Sequence, residues 1–103
     1  MSQMIPYSKQ DISVDDVNAV IKVLKSNLIT QGPEVQIFEK KCSDFLSAKH
    51  SLAVNSATSA LILACKVLDV GEGDIVWTSP NSFVASANCA MLCGASIDFI
   101  DID

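Results

Sequence analysis

The chain has 103 residues, 50% of them hydrophobic and 18% charged, with four glycines and three prolines. That length holds one domain at most with a modest core, and that composition excludes a disordered, collagen-like or low-complexity chain. The net charge is −5 and the seven basic residues are scattered, which argues against nucleic acid or anionic membranes as partners, since both need clustered positive charge.

No run approaches the roughly 18 apolar residues of a membrane span. Residues 1–10 lack the basic flank and apolar stretch of a signal peptide. Residues 4–10, with Pro6 and Tyr7, read as an extended arm. Ser13 then suits an N-cap, with Asp15 and Asp16 in the first turn where they favour the helix dipole. Val17, Val20, Ile21, Leu24 and Leu28 recur at spacings of three and four, which predicts an amphipathic helix ending near Asn27.

Leu28-Ile29-Thr30-Gln31-Gly32 breaks that period, and Pro33 suits the first turn of a second helix. Its apolar stripe is Val35, Phe38, Cys42 and Phe45, with Glu39, Lys40, Lys41 and Asp44 toward water. Ser51-Leu52-Ala53-Val54 predicts a short buried strand, Asn55-Ser56-Ala57-Thr58-Ser59 a small polar junction, and Ala60 onward a helix through Leu61, Ala64, Val67 and Leu68. Gly71-Glu72-Gly73-Asp74 is a turn, Ile75-Val76-Trp77-Thr78 a strand, and Ser79-Pro80-Asn81-Ser82 closes it. A further helix is predicted over residues 83–93 on Val84, Ala87, Asn88 and Met91, stopping at Gly94, and a strand over 95–102. There is no repeat and no linker. The order βαβαβ predicts an α/β fold of parallel strands with right-handed helical crossovers. The apolar residues Ile97, Phe99, Ile100 and Ile102 of the last strand have nothing after them to cover them, so the sequence reads as one cut short.

Cys42, Cys65, Cys89 and Cys93 form no CxxC pair and sit in apolar patterns. They read as reduced core thiols of a cytoplasmic protein, not as a disulfide or zinc framework. Cys89 and Cys93 share a helix face without His or further Cys partners, so no metal is expected. His50 reads as an edge residue, the seven lysines as solvated surface, and Asp98, Asp101 and Asp103 as alternating strand residues.

Two junctions could carry chemistry. Leu52 to Leu61 places small residues at a strand-to-helix junction, where backbone N–H groups, the helix dipole and the hydroxyls of Thr58 and Ser59 make a phosphate site. An ordinary helix cap in a tight turn explains the same residues, and spacing alone leaves both readings open. The second junction, Thr78-Ser79-Pro80-Asn81-Ser82-Phe83, lies at the carboxyl end of a predicted strand, where ligands sit in open parallel sheets. Phe83 is there either a core residue or an aromatic face beside the ligand.

Asn55-Ser56-Ala57-Thr58-Ser59-Ala60-Leu61, followed by Thr78-Ser79-Pro80-Asn81-Ser82-Phe83-Val84-Ala85-Ser86-Ala87-Asn88, resembles the DegT/StrS-type nucleotide-sugar aminotransferases. These are fold-type I enzymes that depend on pyridoxal 5′-phosphate. The resemblance runs from Ile5-Pro6-Tyr7 through Leu28-Ile29-Thr30-Gln31-Gly32-Pro33, Phe38-Glu39 and Ala48-Lys49-His50 to Gly94-Ala95 and Phe99-Ile100-Asp101. The Asn-Ser-Ala-Thr-Ser-Ala-Leu and Ser-Phe-Val-Ala-Ser-Ala-Asn wording is most similar to the pseudaminic-acid branch, which aminates C4 of a UDP-linked 4-keto-6-deoxy-N-acetylhexosamine.

The resemblance implies that Ala57, Thr58 and Ser59 hold the cofactor phosphate and that Phe83 stacks on the pyridine ring. Tyr7, Asn27, Leu28, Ile29 and Thr30 would lie near the nucleotide sugar. Many relatives have Gly at the position of Ala57, and Trp, Tyr or His at that of Phe83. The family's Schiff-base lysine, and the carboxylate that pairs with the pyridine nitrogen, fall downstream of position 103, so this chain alone would hold no catalytic residue and be inactive. Residues 1–32 would be the N-terminal arm and first helix, and 33–103 the incomplete large cofactor-binding domain. The resemblance further implies an amino-acid donor, with glutamate expected, and a homodimer whose active site lies at the subunit interface. The competing readings are a truncated non-catalytic remnant and a small phosphate- or nucleotide-binding α/β module.

Overall fold

A computed structural model describes residues 6–102, so Met4 and Ile5 of the extended arm, and the terminal Asp103, lie outside the described residues. The chain divides into two compact units, Met1–Leu52 and Ala53–Asp103.

The first unit holds two helices. In α1 (Val14–Leu24) the Ser13 hydroxyl accepts the Asp16 amide at 3.2 Å, while the Asp16 carboxylate accepts the Ser13 amide at 2.8 Å. This reciprocal box satisfies two of the donors that every helix start leaves unpaired. Bonding first to the Ser13 backbone and then to its hydroxyl holds the Asp16 carboxyl below the usual carboxylate range. The helix ends at Leu24, short of the predicted end near Asn27. The Ser26 amide turns in to the Val23 carbonyl at 3.0 Å, and the Ser26 hydroxyl donates to the Leu28 carbonyl at 3.1 Å. These short-range bonds replace the next helical turn, and Leu28 leaves the stripe.

Helix α2 (Pro33–Leu46) starts as predicted, with Pro33 in its first turn supplying a fixed φ where no N–H is needed. Ser47 ends it in the left-handed region at φ 51. The Ser47 and Ala48 amides fold back onto the Asp44 and Ser43 carbonyls at 3.4 and 2.9 Å. Lys40 and Asp44 pair at 3.1 Å along the exposed face.

The second unit is built around one short helix. Helix α3 (Ala57–Val67) begins earlier than Ala60, because Ser56 takes the extended conformation of an N-cap, φ −160 and ψ 156. Strands β1 (Ile75–Thr78) and β2 (Ser96–Phe99) pair in parallel, with Ile75 opposite Ser96 and Thr78 opposite Phe99. Helix α4 (Ala85–Leu92) is the crossover between them and packs on both strands and on α3. It ends on Gly94 at φ +92, with the Gly94 amide on Met91 O and the Ala95 amide on Ala90 O, at 3.0 and 3.1 Å. That paired closure needs a left-handed residue, which glycine adopts without a Cβ penalty.

Three further predicted features differ. Residues 51–54 join no ladder, because among the described residues the sheet contains only β1 and β2. A strand is made by its neighbour, and composition does not supply one. The βαβαβ order is therefore αβαβ in this unit. Strand β2 is shorter than 95–102 because β1 offers four residues to pair with, and the ladder closes with the Ile100 amide on Thr78 O at 3.0 Å. Helix α4 starts at Ala85, not Phe83, and buries Ala85, Ala87, Cys89 and Ala90, leaving Val84, Asn88 and Met91 exposed. It is sandwiched between α3 and the strands, so small residues on more than one side go inward. Among the described residues every buried apolar side chain is alanine or cysteine, and the helix stripes of the first unit are exposed apart from the half-buried Cys42.

Candidate cofactor-phosphate and ring site

The start of α3 carries the first group of predicted site residues. Ser56 makes the cap: its hydroxyl accepts the Ser59 amide at 3.1 Å. The Ser59 hydroxyl donates to Asn55 Oδ1 at 2.7 Å and lies 3.0 Å from the Ser56 hydroxyl. The first helical bond runs from the Ala60 amide to Ser56 O, at 3.1 Å. The amides of Ala57 and Thr58 are thus the two at this helix start that neither the cap nor the helix uses. They sit at the positive end of the α3 dipole, and Thr58 itself is half-buried. The cap is therefore made by Ser56 and Ser59, and the amides of Ala57 and Thr58 take no part in it. Spacing could not show which hydroxyl caps, since Ser56, Thr58 and Ser59 are all competent.

Phe83 occupies a different place. Phe83 is 74% exposed, so it is not a core residue in this chain. It lines a hollow of about 210 Å³ with Ser79, Pro80, Ser82, Ser86 and Phe99, at the carboxyl ends of β1 and β2. Local bonds shape this wall: the Asn81 amide donates to the Ser79 hydroxyl at 3.2 Å, and the Ser82 and Ser86 hydroxyls lie 3.0 Å apart. Open parallel sheets take ligands at this end of their strands. Ala57, Thr58 and Ser59 belong to the same unit but do not line the hollow.

Tyr7, Asn27, Leu28, Ile29 and Thr30 lie in the first unit, all exposed. His50 and all seven lysines are exposed as well. The four cysteines are free, with Cys89 buried and its thiol donating to Ser86 O at 3.4 Å. Burial first, and then the nearby Cys89 and Cys93 thiols, push the Cys65 thiol up, so it is no activated nucleophile. The sequence reading paired only Cys89 with Cys93; Cys65 joins them across the α3–α4 contact, which helix periodicity within one element does not reveal. Among the described residues no group of His, Cys, Asp or Glu is placed to hold a metal ion. None of the described helices is long and apolar enough to cross a membrane.

Residues 10–103 match the model of the DegT/DnrJ/EryC1/StrS aminotransferase family. The chain belongs to this family. Its relatives include the UDP-4-amino-4,6-dideoxy-N-acetyl-beta-L-altrosamine transaminase of Campylobacter jejuni (serotype O:23/36), 44% identical over 96% of this chain and 26% of that protein. The fold is similar to that of Helicobacter pylori PseC, an aminotransferase involved in the biosynthesis of pseudoaminic acid. That similarity has a TM-score of 0.89 and 36% identity over 98% of this chain and 28% of that one. It is also similar to the sugar aminotransferase Spr1654 of Streptococcus pneumoniae in its PLP- and PMP-forms. There the TM-score is 0.87, with 34% identity over 96% of this chain and 25% of that one. The α/β arrangement of parallel strands and helices is accordingly that of the pyridoxal-phosphate aminotransferases, and pyridoxal 5′-phosphate is the cofactor of this family. The chain spans about a quarter of the length of the curated relatives it matches.

Proposed function

We propose that this chain is the part of a nucleotide-sugar aminotransferase that grips the cofactor phosphate, within the protein encoded by its whole reading frame. That protein moves an amino group from an amino acid, with glutamate as donor, to C4 of a 4-keto-6-deoxy UDP-N-acetylhexosamine. The family match across residues 10–103 carries this reading. The 44% identity to the altrosamine transaminase supports the substrate class.

The residues present fit the cofactor. A phosphate monoester needs several donors at one point, and the start of α3 offers the amides of Ala57 and Thr58, the Thr58 hydroxyl and a dipole of the right sign. Ser59 completes the grip by turning its hydroxyl from Asn55 to the phosphate. The small Ala57 side chain lets the backbone approach closely. Phe83 offers an apolar face for the pyridine ring, keeping it in one plane and keeping water from that side. When bound, pyridoxal phosphate supplies the electron sink and the carrier of the amino group. Tyr7, Asn27, Leu28, Ile29 and Thr30 border the nucleotide sugar. None of the seven exposed lysines here does the chemistry, so the chain alone is inactive. The working protein is a cytoplasmic homodimer.

The test is spectroscopic and uses the protein from the whole reading frame. Glutamate should convert the bound cofactor from its pyridoxal to its pyridoxamine form, and the 4-keto UDP-sugar should reverse the change. A cofactor signal that responds to glutamate but not to the keto sugar refutes the substrate class. No response to any amino acid refutes the amino transfer.

A further inference from the structure

We infer that Ser26 and Gly32 are positioning residues that set where residues 27–30 stand, acting together through the Leu28 carbonyl. This rests on the proposed placement of those residues beside the nucleotide sugar. The Ser26 hydroxyl donates to Leu28 O at 3.1 Å. On the other side, a Cβ added at Gly32 would meet the same oxygen at 2.9 Å and Leu28 Cβ at 3.5 Å. Gly32 has φ −79 and ψ 179, a conformation open to any residue, so glycine is needed there for space and not for its dihedral.

Gln31, between them, is left-handed at φ 55, a conformation that L side chains rarely adopt, and it folds Gly32 back toward Leu28. The carbonyl is gripped by a donor on one side and a bare Cα on the other. The Lys25 cap of α1 and Pro33 of α2 fix both ends of the segment. The backbone that carries the exposed Leu28, Ile29 and Thr30 is therefore held in one arrangement. A preordered segment spares the substrate the entropy of ordering it. Ser26 and Gly32 themselves need make no contact with the sugar nucleotide.

The experiment compares Gly32→Ala, Ser26→Ala and Ser26→Thr with Ile29→Ala and Thr30→Ala, in the protein from the whole reading frame. KM and kcat are read with the keto sugar varied, and the glutamate half-reaction is followed spectroscopically. Gly32→Ala should raise the keto-sugar KM about tenfold, since a misplacement on the order of 1 Å can cost up to about a hundredfold. Ser26→Ala should raise it about fivefold, the factor that one hydrogen bond is worth, and Ser26→Thr should restore it. The glutamate half-reaction should stay unchanged throughout.

If Ile29→Ala or Thr30→Ala raises KM while Gly32→Ala and Ser26→Ala do not, the inference is overturned and the substrate placement stands. If none of the five moves KM, the placement itself fails. Equal slowing of both half-reactions by Gly32→Ala would show a merely structural role and also overturn the inference. Should Gly32→Ala not fold, the Ser26 pair decides alone.

Discussion

Thr58 and Ser59 stand side by side in α3 but hold different positions in its hydrogen bonding. The amide and hydroxyl of Ser59 are engaged with Ser56 and Asn55, whereas the Thr58 hydroxyl takes no part in the cap. Thr58→Ala should therefore weaken cofactor affinity about tenfold or more, since a hydrogen bond to a charged group is worth roughly 1.5–3 kcal/mol. It should leave thermal unfolding almost unchanged because Thr58 is not the cap. Ser56→Ala should do the reverse, costing about 1 kcal/mol of stability as a lost N-cap. Cofactor dissociation constants measured beside melting curves separate the two. Phe83→Ala should loosen the ring while the phosphate grip holds, seen as a broadened cofactor circular-dichroism band with retained binding. Asp16 gives a pH signature. Its folded pKa is lowered, so its support for α1 is complete above the ordinary carboxylate range and is lost as pH falls through the lowered folded value. Helicity followed by circular dichroism on acidification should show this loss, and Asp16→Asn should abolish it.

At the scale of elements, the starts of α1 and α2 and the stop of α4 were legible because their causes are local, whereas the end of α1 and the starts of α3 and α4 fell two or three residues from the reading. Ser13 with Asp16, Pro33 after Gly32, and Gly94 after α4 each act within a few residues. Two further features were hidden for a different reason. Residues 51–54 have the composition of a buried strand, but pairing needs a neighbour that local sequence does not specify. The inward faces of α4 were hidden because alanine and cysteine occur on several sides, and only the packing against α3, β1 and β2 shows which are buried. The start of α3 was visible as a run of small polar residues, while which hydroxyl caps it depended on the extended backbone at Ser56. The end of α2 offers a test of local strain. Ser47 holds φ 51, which costs an L residue about 1–2 kcal/mol and glycine almost nothing. Ser47→Gly should therefore raise the melting temperature, and a lowered one would mean that Ser47 is held by something other than helix closure.

For the molecule as a whole, the notable quantity is how little apolar surface is covered. Trp77, Phe99 and Ile100 in the second unit, and Val20, Leu24 and Phe45 in the first, are all exposed. Surfaces of this kind seek partners. The 103-residue chain by itself should associate or stay partly molten, and sedimentation with heat denaturation would show it; a monodisperse monomer that melts sharply would refute this. On the proposed reading, this chain holds the phosphate grip and the cofactor-bearing lysine lies outside it. Borohydride reduction of the cofactor-loaded protein from the whole reading frame, followed by peptide mapping, tests that division directly. The expected result is one dominant modified lysine outside residues 1–103. A dominant adduct on any of Lys9, Lys22, Lys25, Lys40, Lys41, Lys49 or Lys66 would contradict it.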